Sequence, residues 1–286
     1  MNFENFFHRN NETNKYDYGH VLIIGGAPGM VGAPLLSGLS ALRVGAGLVT
    51  ITSSSEVIDK LEKRVLEIMT LRLPDNNDEA LETIIEFIEK RRVSVVVFGP
   101  GFDTTTETLV KNIIGMISIP IVLDAGAVTM FHDDLTTLKK VAKHNQKIIL
   151  TPHDGEFEKL TGTKLATEID KRKETAAAFA KIYGLTLVCK GTTSLVAHPD
   201  ANVYVNSTSN PGMATAGTGD VLDGIIAGLI AQGFTLEDAT DNGIYIHGLA
   251  GDLVAEEKTQ VSLIASDLIE SLPLALKKIE ADLKNN

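Results

Sequence analysis

The chain has a single cysteine in 286 residues, Cys189. An internal disulfide is therefore impossible, and a cysteine-based zinc site is not supported. Cys189 lies in the apolar run 185–189 and reads as a buried core residue. Basic residues are also scarce: 26 Lys and Arg stand against 37 Asp and Glu, a formal net charge of −11. Nucleic acid and anionic membrane surfaces repel such a chain unless a local basic patch compensates. The nearest candidate, Lys171-Arg172-Lys173, reads as a solvated helix face. No apolar run has the length of a membrane span; the best candidate, 221–231, is short and contains Asp223. The first residues lack a basic stretch followed by an apolar one, so no secretory signal is evident. The expectation is a cytoplasmic protein that binds neither nucleic acid nor membrane. Two nucleotide signatures are missing as well. There is no G-x-x-x-x-G-K-[ST] loop, and neither Gly26/Gly29/Gly32 nor Gly217/Gly219 has the spacing of the dinucleotide fingerprint.

What is present is an alternation of short apolar runs and helical periodicities. Apolar runs at 20–24, 48–52, 93–98, 119–123, 148–150 and 185–188 read as buried strands. Between them, spacings such as Leu81, Ile84, Ile85 and Ile88 predict helices at about 34–44, 56–65, 78–91, 107–116, 135–143 and 171–183. Strand–helix alternation means parallel βαβ units with helices on both faces of one sheet. Segments 193–197 and 202–205, separated by His198-Pro-Asp200, predict an antiparallel hairpin at the sheet edge. Helices over 219–232, 236–255 and 264–284 close the chain, and one α/β domain is expected. Residues 1–15 are polar and aperiodic and read as a flexible or loosely docked arm.

Ligands of open parallel sheets sit at the carboxyl ends of the strands. Gly25-Gly26, Gly99-Pro-Gly101, Asp124-Ala-Gly126, Thr151-Pro-His153 and Lys190-Gly191 all fall there. Any one of these could be an ordinary turn; five at the same end predict a shared cleft. The strongest local signal is Asn210–Asp220, a small-residue loop running into the apolar helix that follows. Unpaired N–H groups and the helix dipole at such an N-terminus favour an anion, and glycine lets the backbone approach it. A carboxylate in the first turn, Asp220, is placed to take a proton from a substrate hydroxyl. The plainer reading is that Asp220 caps the helix and the glycines make a turn. His153, in a strand-end loop, is a candidate ligand contact, whereas His247 reads as a core residue and Glu56, Glu62 and Glu67 as a solvated face.

Several of these segments together resemble the ADP/ATP-dependent NAD(P)H-hydrate dehydratases, within the ribokinase-like superfamily. The residues that carry the resemblance are 18–26, 41–49, 98–101, 123–126, 150–157, Lys190-Gly191 and 210–220. The Thr151-Pro-His153 segment together with Gly217-Thr-Gly-Asp220 is specific; either alone is similar only to the superfamily. The resemblance spans nearly the whole chain from about Lys15. It implies a ribokinase-like three-layer αβα sandwich with a mostly parallel central sheet. It also implies a repair reaction, in which the S epimer of NADH or NADPH hydrate is dehydrated at the expense of ADP or ATP, with Mg²⁺ assisting.

By position, the resemblance makes Asp220 the base in contact with the substrate hydroxyl and Gly217, Thr218 and Gly219 the anion hole. Lys190, Gly191, Thr192, Thr193 and Ser194 would hold the nucleotide, and Ala33, Gly101 and His153 would face the hydrated nicotinamide. No residue is assigned as a metal ligand. A homotetramer is implied, and the epimerase that interconverts the hydrates would be a separate protein. Three positions depart from the family pattern: Thr215-Ala216, Pro34 and Asp154. Two alternatives stay open, a kinase of a small vitamin-precursor alcohol and a nucleotide-sensing module that binds without turnover.

Overall fold

A computed structural model describes residue 3, residues 6–102 and residues 107–285. Among these, nine strands form one sheet in the order β3-β2-β1-β4-β5-β6-β7-β8-β9. The strands are β1 (His20–Ile24), β2 (Leu48–Ser54), β3 (Met69–Leu73), β4 (Val95–Phe98), β5 (Ile121–Leu123), β6 (Ile148–Leu150), β7 (Thr186–Cys189), β8 (Leu195–Ala197) and β9 (Val203–Val205). β1 to β7 are parallel to one another, while β8 runs antiparallel to β7 and forms with β9 an antiparallel hairpin at one edge. The expected alternation and the expected hairpin are both present.

The central strands are buried on both faces, which is why they read as continuous apolar runs rather than alternating ones. Side chains still alternate across the sheet. Val21, Ile23, Val95, Val97, Val122 and Ile149 point to one core, shared with α1 (Gly32–Arg43), α9 (Thr218–Ala231), α10 (Leu236–Glu257) and α11 (Ala265–Asn285). Leu22, Ile24, Val96, Phe98, Leu123 and Leu150 point to the other, shared with α3 (Asn77–Arg91), α4 (Glu107–Met116), α6 (Leu135–His144) and α8 (Ile169–Tyr183). The result is three layers, helices over sheet over helices.

Register aligns the strand ends. Ile24, Phe98, Leu123, Leu150 and Leu187 form a row across five neighbouring strands. The segments that follow them therefore emerge side by side along one edge of the sheet, where the cleft was expected.

Several elements were not read from the sequence or differ from it in extent. β3 is an edge strand of half-exposed residues, so its side chains lack the apolar run that marks the central strands. The short helices α2 (Ser55–Leu61), α5 (Ala125–Thr129) and α7 (Asp154–Thr161) begin within a few residues of strand ends. Of these, α2 was expected to run to 65 but stops at Leu61, and α5 and α7 were treated as loop. Helix α1 begins at Gly32, which makes Pro34 its third residue rather than its first. Proline is tolerated there because the N–H groups of a first turn have no partner within the helix.

The amino-terminal segment is docked. Phe3 is buried, and its ring packs against Phe6, Phe7 and Phe234. The polar residues around these rings obscured that contact in the sequence.

Candidate active site

Helix α9 begins at Thr218 and its N-cap is Gly217, at φ 90°. Only glycine adopts that backbone freely, and a Cβ there would sit 2.5 Å from Leu36 Cδ1. No side chain caps the helix. The Thr218 hydroxyl turns back instead, donating to the carbonyls of Met213 and Thr215 at 3.0 Å each and closing the small-residue loop. The N–H groups of the first turn thus open onto the cleft, the arrangement that suits a phosphate. Asp220 is the third helical residue and not the cap. The plainer reading of its carboxylate is thereby removed.

A cavity of about 1270 Å³ runs along the carboxyl edge of the sheet. It is lined by Gly217, Thr218, Gly219 and Asp220, by Lys190, Gly191, Thr192 and Ser194, and by Ala33, Gly101 and His153. Thr193 is not among the lining residues. Gly101 and Ala33 are brought together: a Cβ on Gly101 would stand 3.2 Å from that of Ala33.

Behind Asp220 lies a charged cluster that the sequence did not assign. Lys190 Nζ, at the end of β7, donates to Asp124 Oδ1 at the end of β5 over 2.5 Å. Asp223, one helical turn after Asp220 and 0% exposed, faces the same group. Carboxylate oxygens of Asp124, Asp220 and Asp223 lie within 4.8 Å of one another. Burial of Asp124 is outweighed by the Lys190 ammonium and by hydrogen bonds, so its carboxyl is held below the usual range. Burial likewise works against the Lys190 ammonium, but Asp124, Asp223 and Glu156 raise it and keep it charged. Asp223 is pushed well above its ordinary value, by burial first and then by the charge of Asp124. Two carboxylates cannot bond each other without a proton, and Asp223 has no other hydrogen-bond partner. A protonated Asp223 donating to Asp124 satisfies both. Asp220 is pushed up to about 7, again by burial first, with Asp124 and Glu156 adding and Lys190 opposing. A carboxyl balanced near neutrality is suited to general-base work.

His153 is the N-cap of α7, in a capping box with Glu156. Its Nδ1 accepts from the N–H groups of Gly155 and Glu156 at 3.0 and 3.2 Å, and Glu156 Oε2 accepts from the His153 N–H at 2.9 Å. With Nδ1 accepting, the neutral ring carries its proton on Nε2, on a side chain that is 60% exposed. Burial raises the Glu156 carboxyl, against the pull of Lys190. His247 corrects its expectation: it is half-buried and lines the cavity. Its Nε2 bonds the Thr218 carbonyl at 2.9 Å. Burial lowers it to about 4, so the ring is neutral and Nε2 donates. Spacing could have flagged two of the missed residues. Asp223 is three after Asp220 on one helix face, and Glu156 is three after His153 at the capping-box interval.

Residues 21–274 match the family model described as NAD(P)H-hydrate dehydratase. The chain belongs to that family. The NAD(P)H-hydrate dehydratase match is accompanied by 40% identity to the bifunctional NAD(P)H-hydrate repair enzyme Nnr of Moorella thermoacetica, over 93% of this chain and 51% of the relative. The chain thus spans about half the length of the first curated relatives it matches. Against the ADP-dependent (S)-NAD(P)H-hydrate dehydratase of Bacillus subtilis it is 31% identical, covering 95% of this chain and 94% of that one. A crystal structure of ADP/ATP-dependent NAD(P)H-hydrate dehydratase from Bacillus subtilis, co-crystallized with ATP/Mg2+, superposes with a TM-score of 0.79 at 28% identity, covering 95% of this chain and 93% of that one. Arabidopsis thaliana ribokinase shares the fold alone, with a TM-score of 0.55 at 12% identity over 89% of this chain and 98% of that one. The expected ribokinase-like αβα architecture is therefore the one this dehydratase-family chain adopts.

Proposed function

We propose that the chain dehydrates the S epimer of NAD(P)H hydrate, using ADP or ATP to make the ring hydroxyl a leaving group. The observation that carries this reading is the position of Asp220. Its carboxyl, balanced near pH 7, stands in the first turn of an uncapped helix that opens onto a cavity. The cavity, at about 1270 Å³, is larger than the several hundred Å³ that usually hold one small ligand, as two substrates require.

In the first step Asp220 accepts the hydroxyl proton. The substrate oxygen then bonds to the terminal phosphorus, and the bond from that phosphorus to the rest of the nucleotide breaks, releasing ADP from ATP or AMP from ADP. The first-turn N–H groups of α9 hold the transferred phosphoryl, where positioning and charge stabilisation are the main sources of rate. In the second step the carbon–oxygen bond breaks with its electron pair leaving on phosphate. A proton is lost from the adjacent ring carbon and the double bond is restored. Lys190, Gly191, Thr192 and Ser194, which line the cavity, hold the nucleotide on this reading. Ala33, Gly101 and His153 face the nicotinamide, with the His153 Nε2–H as a donor.

The cluster of Asp124, Asp220 and Asp223 offers the oxygen donors that Mg²⁺ prefers, within 4.8 Å of one another. Asp124 would hold the ion at the cavity, leaving Asp220 to act as the base, and the ion would supply neutralisation of phosphate charge. A homotetramer and an epimerase acting on the same metabolite belong to the same proposal. Sedimentation velocity measures the first, and supplying pure R hydrate with and without an epimerase measures the second.

The deciding experiment mixes purified protein and S hydrate of NADH with ADP, with ATP or with neither, in the presence of Mg²⁺. Nucleotide-dependent recovery of the near-ultraviolet dihydronicotinamide absorbance, with release of phosphate, is the expected result. No recovery with either nucleotide refutes the proposal.

A further inference from the structure

The three adjacent basic residues of α8 do not behave alike. Lys171 is 67% exposed and pairs with Glu168, and Lys173 pairs with Asp170. Arg172 turns inward and its side chain is 7% exposed. The expectation of a solvated basic face thus holds for the two lysines and fails for the arginine. The guanidinium Nη2 donates to Asp154 Oδ1 at 2.6 Å and to the backbone carbonyl of Lys190 at 3.1 Å. It also lies against the next residue, since a Cβ on Gly191 would be 2.9 Å from Nη2.

These partners belong to two different strand-end segments. Asp154 opens α7 directly after His153, and Lys190 opens the loop after β7. The two segments are already joined by a bridge between His153 and Lys190 and by the Lys190 N–H donating to the Pro152 carbonyl at 2.9 Å. Arg172 binds both beside that junction. Asp154, Lys190 and Gly191 line the cavity, whereas Arg172 is not among its lining residues.

We propose that Arg172 is a positioning residue, a clamp that fixes the Lys190–Ser194 loop against the His153 end of α7 and so presets the nucleotide subsite. The proposal rests on the nucleotide reading of that loop. A planar guanidinium suits the task because the two N–H groups of Nη2 keep fixed directions, one toward the carboxylate and one toward the carbonyl. Lysine keeps the charge but loses those fixed directions. Fixing the Lys190 backbone also fixes the root of the side chain whose ammonium reaches Asp124.

The test compares Arg172→Met, Arg172→Lys and Asp154→Ala, with Lys171→Ala as the exposed control. Amide hydrogen exchange is followed on the unliganded proteins, and Kd for ATP with Mg²⁺ is measured by calorimetry. For Arg172→Met the expectation is exchange faster by about tenfold or more at residues 153–156 and 190–194, with the sheet strands unchanged. ATP affinity falls about tenfold or more, as the loss of hydrogen bonds to a charged group implies. Arg172→Lys lies between Arg172→Met and the native protein, and Lys171→Ala changes neither quantity. Asp154 is half-exposed, so Asp154→Ala supplies the same comparison, with smaller changes, if Arg172→Met does not fold. Unchanged exchange at 190–194 in Arg172→Met, or in Asp154→Ala in its place, removes the clamp. Faster exchange with unchanged Kd reduces Arg172 to a structural tether and overturns the positioning role. Faster exchange in a protein whose native form binds no ATP leaves the clamp standing and overturns the nucleotide reading instead.

Discussion

Asp220 works as a base only when ionised, and its surroundings make ionisation costly. Burial and the neighbouring Asp124 push it up to about 7, so the sign is fixed: below that pH the base is protonated and idle. The expected profile of kcat/KM rises with pH and levels off above about 7, and it is read from initial rates across buffers of constant ionic strength. Asp220→Asn keeps the shape and removes the base. Turnover should fall by about 10²- to 10⁴-fold, the usual range for general catalysis, while ATP affinity measured by calorimetry stays close to that of the native protein. Asp223 bears on stability. Its folded pKa is raised above the unfolded value of about 3.9. The stability it contributes is therefore complete below that unfolded value and is lost as pH rises through the folded one. Asp223→Asn carries no such titration, and its urea midpoint should decline less than that of the native protein on going from pH 5 to pH 9.

At the scale of the element, α9 holds the base and its glycines hold α9. Gly224 and Gly228 lie one turn apart and face α1. A Cβ on Gly224 would come 2.0 Å from the Ser37 carbonyl oxygen, and one on Gly228 would come 2.8 Å from that of Ala41. The helix thus lies directly on its neighbour's backbone. Gly228→Ala should cost about 1–3 kcal/mol, the range for overpacking a filled interior, measured by urea unfolding. The same element shows what a linear reading can and cannot recover. The apolar period and the small-residue loop announced the helix and its N-terminus to within one residue. The buried strands were legible for a similar reason, because burial on both faces leaves an unbroken apolar run. β3 was not, since an edge strand shares that burden with solvent and keeps no such run. Asp124, Glu156 and Asp223 went unassigned because their meaning is mutual: each is an ordinary acid until the sheet register sets it beside Lys190. Arg172 was misread for the converse reason, since two solvated lysines flank it and only the third dimension separates them.

For the molecule as a whole, charge works against the proposed substrates. The chain carries a formal −11, and the cleft gathers Asp124, Asp220 and Glu156, with the protonated Asp223 behind them, around the Lys190 ammonium. A nucleotide polyphosphate entering that field needs a cation with it. Removing Mg²⁺ with EDTA should therefore weaken ATP binding as well as stop turnover, and calorimetry with and without the chelator separates the two effects. Binding that is equally tight without Mg²⁺ would contradict this account of the cleft. One further property follows from Cys189. The thiol is fully buried, burial pushes it up to about 12, and it is the only one in the chain. Thiolate, not thiol, reacts with maleimides, so the native protein should be blank to them. A cysteine introduced at Thr192, on the rim of the cavity, could then carry a single fluorophore without competition, and the loop beside the cleft could be watched in real time as nucleotide arrives.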